Sequence, residues 1–351
     1  MIATAIFLFS AAALMYTYVV YPLLLRLLGR SRASRAGGRG PVQSRPEGVA
    51  SDTPVPPTVS VIVAAYNEAP TIARRVQDLL CQDYPADRFE VLVGSDGSAD
   101  QTVSAVRQIE DSRVRVLDLP RGGRALVHNA CAAVALGDIL AFTDAETRFA
   151  PDCLRRMIIP FSDPSVGCVS GHLVYTNAGD VGIAQSAGWY WKFELRLRQL
   201  ETATGSTVAA TGACMAIRTS LFRPLAPTDD IDDAGPVDVL LAHRRVLLAP
   251  DALAYDRLPA RSEDELAARR RIVTKNLAAI VNRPAILLAH RYPEAAFKLV
   301  SHRVMRYLSP VFLVCLIASN ILLLNRPLFR VTGIGQAIFY SGALLGFAAV
   351  M

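Results

Sequence analysis

The chain has 351 residues, 52% of them hydrophobic, and a formal net charge of +6. It is too long for one small domain, and at a mean hydropathy of +0.30 too apolar for an ordinary soluble one, which points to membrane segments. The basic excess does not indicate nucleic acid. Much of it comes after the first apolar run, as Arg26, Arg30, Arg32, Arg35, Arg39 and Arg45, or lies in a later amphipathic stretch, where anionic lipid headgroups are the expected partners.

Ile2 to Leu25 contains no charged residue, enough to cross a hydrocarbon core of roughly 30 Å, so residues 1–28 are read as a transmembrane helix. The bases come after the apolar run instead of preceding it. That excludes a cleaved signal peptide and places the domain beyond the first span in the cytoplasm. Residues 29–57, rich in Arg, Gly, Ser and Pro, read as a flexible basic linker. The six cysteines are scattered without C-x-x-C spacing and read as reduced packing residues.

A catalytic domain is expected over residues 58–285. Strands are predicted at 59–64, 89–93, 114–117 and 139–143, alternating with helices at about 70–81, from Ser98 or Asp100, and through Leu136. Such alternation implies a mainly parallel sheet, whose carboxyl edge is where ligands bind. Each strand has a polar tip there: Tyr66 and Glu68, then Asp96, then Arg121 with Arg124, then Asp144 with Glu146. In the extended tip of GDILAFTDAET, Asp144 and Glu146 point to one side and can face one hard cation that also holds a phosphate.

Further on, Trp189, Tyr190, Trp191 and Phe193 mark a helix over 183–201 and read as core or lipid-surface aromatics. The acidic run DDIDD, Asp229 to Asp233, comes after an apolar segment. A helix over about 263–281 carries Arg269, Arg270, Arg271 and Lys275. Arg291, Lys298, His302 and Arg306 then recur at helical spacing and predict an interfacial amphipathic helix over 286–306. Transmembrane helices are predicted at 307–325 and 331–351; the latter stops inside an apolar segment with no basic flank, as an incomplete chain would. His172 and His302 need no catalytic role.

The motifs AAYNE, SDGSADQT, GGRALVHNA, GDILAFTDAET, TGACMAIRTSLF and IDDAG stand in the order and at roughly the spacings of family 2 glycosyltransferases. The chain resembles the membrane-bound branch of that family that builds bacterial polysaccharides. The resemblance implies an α/β GT-A nucleotide-diphospho-sugar transferase fold, a mainly parallel sheet flanked by helices, with transmembrane helices at both ends. By the same resemblance, Ala64, Tyr66 and Glu68 hold the uracil or ribose and Asp96 reads the nucleobase. Arg124, where the pattern usually has lysine, holds a phosphate. Asp144 and Glu146 correspond to the D-x-D motif, with Glu in second place, and imply Mg²⁺ or Mn²⁺. The pair Asp232 and Asp233 supplies the base for the acceptor hydroxyl, with Asp233 favoured and Asp230 a rival.

Two departures stand out. Ala234-Gly235-Pro236 replaces bulkier residues, and Ala268 to Ile272 lacks both Gln and Trp of the Q-x-x-R-W motif of processive relatives, leaving Arg271 as a candidate diphosphate ligand. The expected activity is inverting transfer of a hexose or hexosamine from a UDP-sugar to a lipid-linked or polysaccharide acceptor at the cytoplasmic face of the inner membrane. A processive synthase and a non-catalytic nucleotide-sugar-binding scaffold are the alternatives. A dehydrogenase is excluded, since no G-x-G-x-x-G succeeds the first strand.

Overall fold

The computed structural model describes residues 1–35, 55–177, 183–257 and 262–348. At the amino terminus, α1 (Ile2–Met15) and α2 (Tyr21–Arg35) run on through a π turn at Tyr16–Val20. Residues 29–35 of the expected linker are therefore helical, and 36–54 lie outside the described residues.

The first half of the sheet has the predicted alternation: β1 (Val59–Ala65), α3 (Ile72–Leu80), β2 (Phe89–Asp96), α4 (Thr102–Arg107), β3 (Val114–Leu119), α5 (Arg124–Val134) and β4 (Ile139–Asp144). β1 is apolar on both faces because helices cover both. Val61 and Val63 pack with Val76, Leu79 and Met157 on one side, and Ile62 packs with Val127, Phe142 and Met215 on the other. These four strands pair in parallel in the order β3-β2-β1-β4, with Ala64 opposite both Gly94 and Asp144. The register brings the strand tips level, so Tyr66, Asp96, Arg121 and Asp144 share one sheet edge.

The second half is β5 (Arg148–Phe149), α6 (Cys153–Ile158), β6 (Val166–Tyr175), α7 (Ile183–Ala203), β7 (Met215–Arg218), α8 (Ile231–Leu241), β8 (Arg245–Asp256) and α9 (Ser262–Asn282). Its four strands extend the sheet to β3-β2-β1-β4-β7-β6-β8-β5. Because β7 runs antiparallel to β4 and β6, and β5 to β8, the sheet is mixed. None of these strands is predicted from the sequence. Gly167, Gly171 and Pro250 interrupt the two long ones, and such residues ordinarily signal turns.

At the carboxyl end, α10 (Pro293–Leu299), a π turn at Val300–Val304 and α11 (Met305–Ile321) form one rod of 29 residues, succeeded by α12 (Pro327–Ala348). The sequence predicts an interfacial helix and then a separate span here. Instead the helix is continuous, and much of its polar stripe turns inward. Lys298 Nζ donates to the carbonyls of Ser206 (2.7 Å) and Glu201 (3.1 Å). The buried His302 ring lies 2.9 Å from Glu201 and 3.1 Å from Glu194, and Tyr21 Oη donates to Glu201 at 2.6 Å. Buried carboxylates need such partners, which explains why cations of this helix face α7. Two rods, Ile2–Arg32 and Pro293–Ile321, are long and apolar enough to cross a membrane, and Phe9, Val311 and Val314 on them remain exposed.

Candidate active site

The SDG turn after β2 builds the first part of the site. Gly97 has φ +65°, and a Cβ there would meet the Arg121 backbone nitrogen at 2.7 Å, so only glycine lets the two loops close together. The loop is then clamped by Asp96. Its Oδ1 accepts the N–H groups of Gly122 (2.7 Å) and Gly123 (2.8 Å), and its Oδ2 accepts from Arg121 Nη1 (2.7 Å). The Arg121 guanidinium lies 3.4 Å from the centroid of the exposed Tyr66 ring. Asp96, predicted to read a nucleobase, here orders the loop beside the aromatic ring. Glu68 works locally, accepting from Thr71 Oγ1 (2.8 Å) and capping α3 through its carbonyl (2.9 Å to Ile72 N).

At the tip of β4, the buried Thr143 Oγ1 donates to Ala213 O (2.9 Å) and accepts from Arg75 Nη2 (2.7 Å), which ties the acidic strand end to the TGAC loop. Asp144 is one-third exposed by its side chain, at 33%, and Glu146 is exposed. Gly123, at φ +89°, starts α5 so that Arg124 begins the helix, with Nη1 3.6 Å from Asp144 Oδ1. The Asp144 charge, with Asp230 and Asp232 beyond it, raises the Arg124 pKa against the effect of burial. One guanidinium therefore feels the charges of both acidic motifs, which lie 83 or more residues apart in sequence.

Asp256, at the end of β8, is a site residue that sequence reasoning missed. It accepts from Thr147 Oγ1 (3.1 Å), and its pKa is raised by burial and by the charges of Asp144 and Glu146. The signal was an apolar run, ALAY, ending in an acid. Among the described residues no three His, Cys, Asp or Glu side chains are grouped to hold a metal. Asp144 and Glu146 still offer oxygens on an accessible tip, which fits a hard cation that takes its other ligands from phosphate and water.

The acidic run divides by environment. Asp229 is 2% exposed and held by Asn282 (2.8 Å) and Arg283 (2.9 Å), a structural anchor. Asp230 precedes α8 with an extended backbone, and its buried Oδ1 has no hydrogen-bond partner. Asp233, the favoured base, is 5% exposed and ion-paired to Arg303 Nη1 at 2.6 Å. Asp232 is the more exposed of the two, and a Cβ on Gly212 of the TGAC loop would lie 3.4 Å from its Cβ. Burial, then the charges of Asp233 and Asp230, push the Asp232 carboxyl well above its usual range, against Arg124 and Arg303. Burial raises Asp233 to about 6, with Arg303 opposing.

Ala234-Gly235-Pro236 belongs to the core. All three are buried, and a Cβ on Gly235 would meet Ile217 Cδ1 at 2.6 Å, so small residues here let α8 pack on β7. Arg271 lies on α9, but its side chain is outside the described residues, as is that of Trp189. Trp191 packs against Tyr175, ring centroids 5.2 Å apart, as expected of a packing aromatic.

The family model for glycosyl transferase family 2 matches residues 60–225. An N-acetylglucosaminyltransferase of Rhizobium leguminosarum bv. trifolii is 32% identical over 130 residues, covering 35% of this chain and 71% of that protein. The chain belongs to glycosyltransferase family 2. An N-acetylglucosaminyltransferase of Mesorhizobium japonicum is 29% identical over 170 residues, 47% of this chain. This family 2 glycosyltransferase spans only 40% of that relative and 46% of a further one from Bradyrhizobium diazoefficiens. Its architecture is that of a mannosyltransferase from Pyrobaculum calidifontis solved with GDP-Man and Mn²⁺: TM-score 0.66, 24% identity, with 96% of this chain and 98% of the other covered. The GT-A fold expected from the motifs is the fold observed.

Proposed function

We propose that this chain is a membrane-anchored, inverting glycosyltransferase that moves a hexose or hexosamine from a UDP-sugar to a lipid-linked or polysaccharide acceptor at the cytoplasmic face. The observation that carries the reading is Arg124, which pairs with Asp144 at the donor edge and also feels the charges of Asp230 and Asp232. A donor diphosphate and an acceptor hydroxyl can meet only where such groups converge.

Tyr66 offers its face to the nucleobase, and Arg124 holds the diphosphate, with Arg271 a further candidate. A divalent cation, Mg²⁺ or Mn²⁺, held by Asp144 and Glu146 would neutralise charge on the leaving diphosphate. Asp232 takes the proton of the acceptor hydroxyl, a change from the expectation for Asp233 that is supported by its greater exposure and by Asp233's pairing with Arg303. Attack opposite the leaving group inverts the anomeric carbon. The apolar rods at both ends support membrane anchoring, and relatives named N-acetylglucosaminyltransferases support a hexosamine.

The test is nucleotide release from UDP-, GDP- and other activated sugars by membranes containing the chain. Preferential UDP release, with the sugar moved to lipid or glycan, supports the reading. Binding of UDP without release from any donor favours a scaffold instead.

A further inference from the structure

The helix Pro293–Ile321 reaches the acceptor half of the site by two routes. Arg303, 7% exposed, pairs directly with Asp233. Its neighbours His302 and Arg306 both bind Glu194. Glu194 accepts from Arg198 Nε (2.8 Å), and Arg198 Nη1 donates to Thr211 Oγ1 (2.7 Å), next to the Gly212 that packs on Asp232. One apolar rod thus touches the carboxylate pair directly and the loop beneath it only through Glu194 and Arg198 of α7, whereas among the described residues the donor edge at Tyr66, Asp96 and Arg121 is built without it. A buried pair rarely adds stability over an apolar one of the same shape, but loss of one partner leaves a buried charge uncompensated.

We propose that Arg303 is a positioning residue: it fixes Asp233 in an ion pair, leaves Asp232 as the carboxylate facing the acceptor, and makes the acceptor half of the site depend on the seating of a membrane-proximal helix. The proposal rests on the transferase reading above. The groups facing the pair are Arg303, Arg198 and Arg124 against Asp229 and Asp230, with the Tyr307 phenol near Asp233 and Glu194 near Arg303. Removing Arg303 takes a cation from both carboxyls, so the pair takes up its first proton at a higher pH.

The test uses the full chain in membranes, with UDP as binding probe and UDP-GlcNAc among the donors for release. Arg303→Met is expected to keep UDP affinity, to lower release by about 10²-fold, and to move the acid limb of its pH profile up by about 1–3 units. Arg303→Lys, which keeps the charge, is expected to restore the limb. Melting of Arg303→Met, Asp233→Asn and the double variant reads the pair without turnover: the two losses are expected to be strongly non-additive. An unchanged pH profile in Arg303→Met, loss of UDP binding in parallel with release, or additive melting shifts would overturn the proposal. A wild type that releases no nucleotide would count against the transferase reading, and the melting cycle would then decide the ion pair alone.

Discussion

The Arg121 guanidinium stacks 3.4 Å from the Tyr66 ring centroid while its Nη1 donates to Asp96. A planar cation thus covers one face of the ring, whose remaining exposure leaves room for a planar base. Tyr66→Ala is expected to weaken UDP binding about 10-fold, since base–aromatic stacking contributes roughly 1–3 kcal/mol. Calorimetry reads this directly; unchanged affinity would place the base elsewhere.

Two glycines of this edge separate backbone strain from contact. Gly97→Ala forces both a left-handed φ and a clash with Arg121, and is expected to cost about 1–3 kcal/mol and to weaken UDP binding. Gly123→Ala meets nothing within 4 Å, so only the φ penalty applies. A larger melting loss for Gly123→Ala than for Gly97→Ala would contradict the close approach of the two loops.

The carboxylate pair makes a sharper distinction. Asp232→Asn is expected to lower release by about 10²–10⁴-fold with the melting temperature little changed. Asp233→Asn strands the buried Arg303, so it is expected to destabilise the fold by about 3–5 kcal/mol as well. Equal melting of the two variants would argue against their different environments.

Asp233, raised to about 6, also sets a pH dependence. As pH falls toward and through about 6 the pair takes up protons, the first on Asp232, and release is expected to fall. Stability moves the other way. A carboxyl whose folded pKa exceeds its unfolded one favours the fold at low pH, and that contribution is lost as pH climbs from about 4 to about 6. Release and melting measured across this window check both signs.

The donor half of the site is legible in the sequence because it is local. β1, β2 and β4 are buried on both faces, so each reads as a largely apolar run, broken by Ser60 in β1 and Glu90 in β2 before its polar end at Tyr66, Asp96 or Asp144. The acceptor half is built from long-range contacts. Asp233 meets a partner 70 residues away, on a helix whose cations read as lipid-facing until α7 is seen to present Glu194 and Glu201 to them. The acidic run likewise gives no sign of which member is an anchor. Asn282 and Arg283 decide that for Asp229.

The most direct test of the central claim is nucleotide release by wild type and Asp144→Ala in membranes, with and without Mn²⁺ or Mg²⁺. Release that requires the cation and is lost in a variant that melts like wild type is the predicted result. Metal-dependent release retained by Asp144→Ala would contradict the placement of the donor diphosphate at the tip of β4.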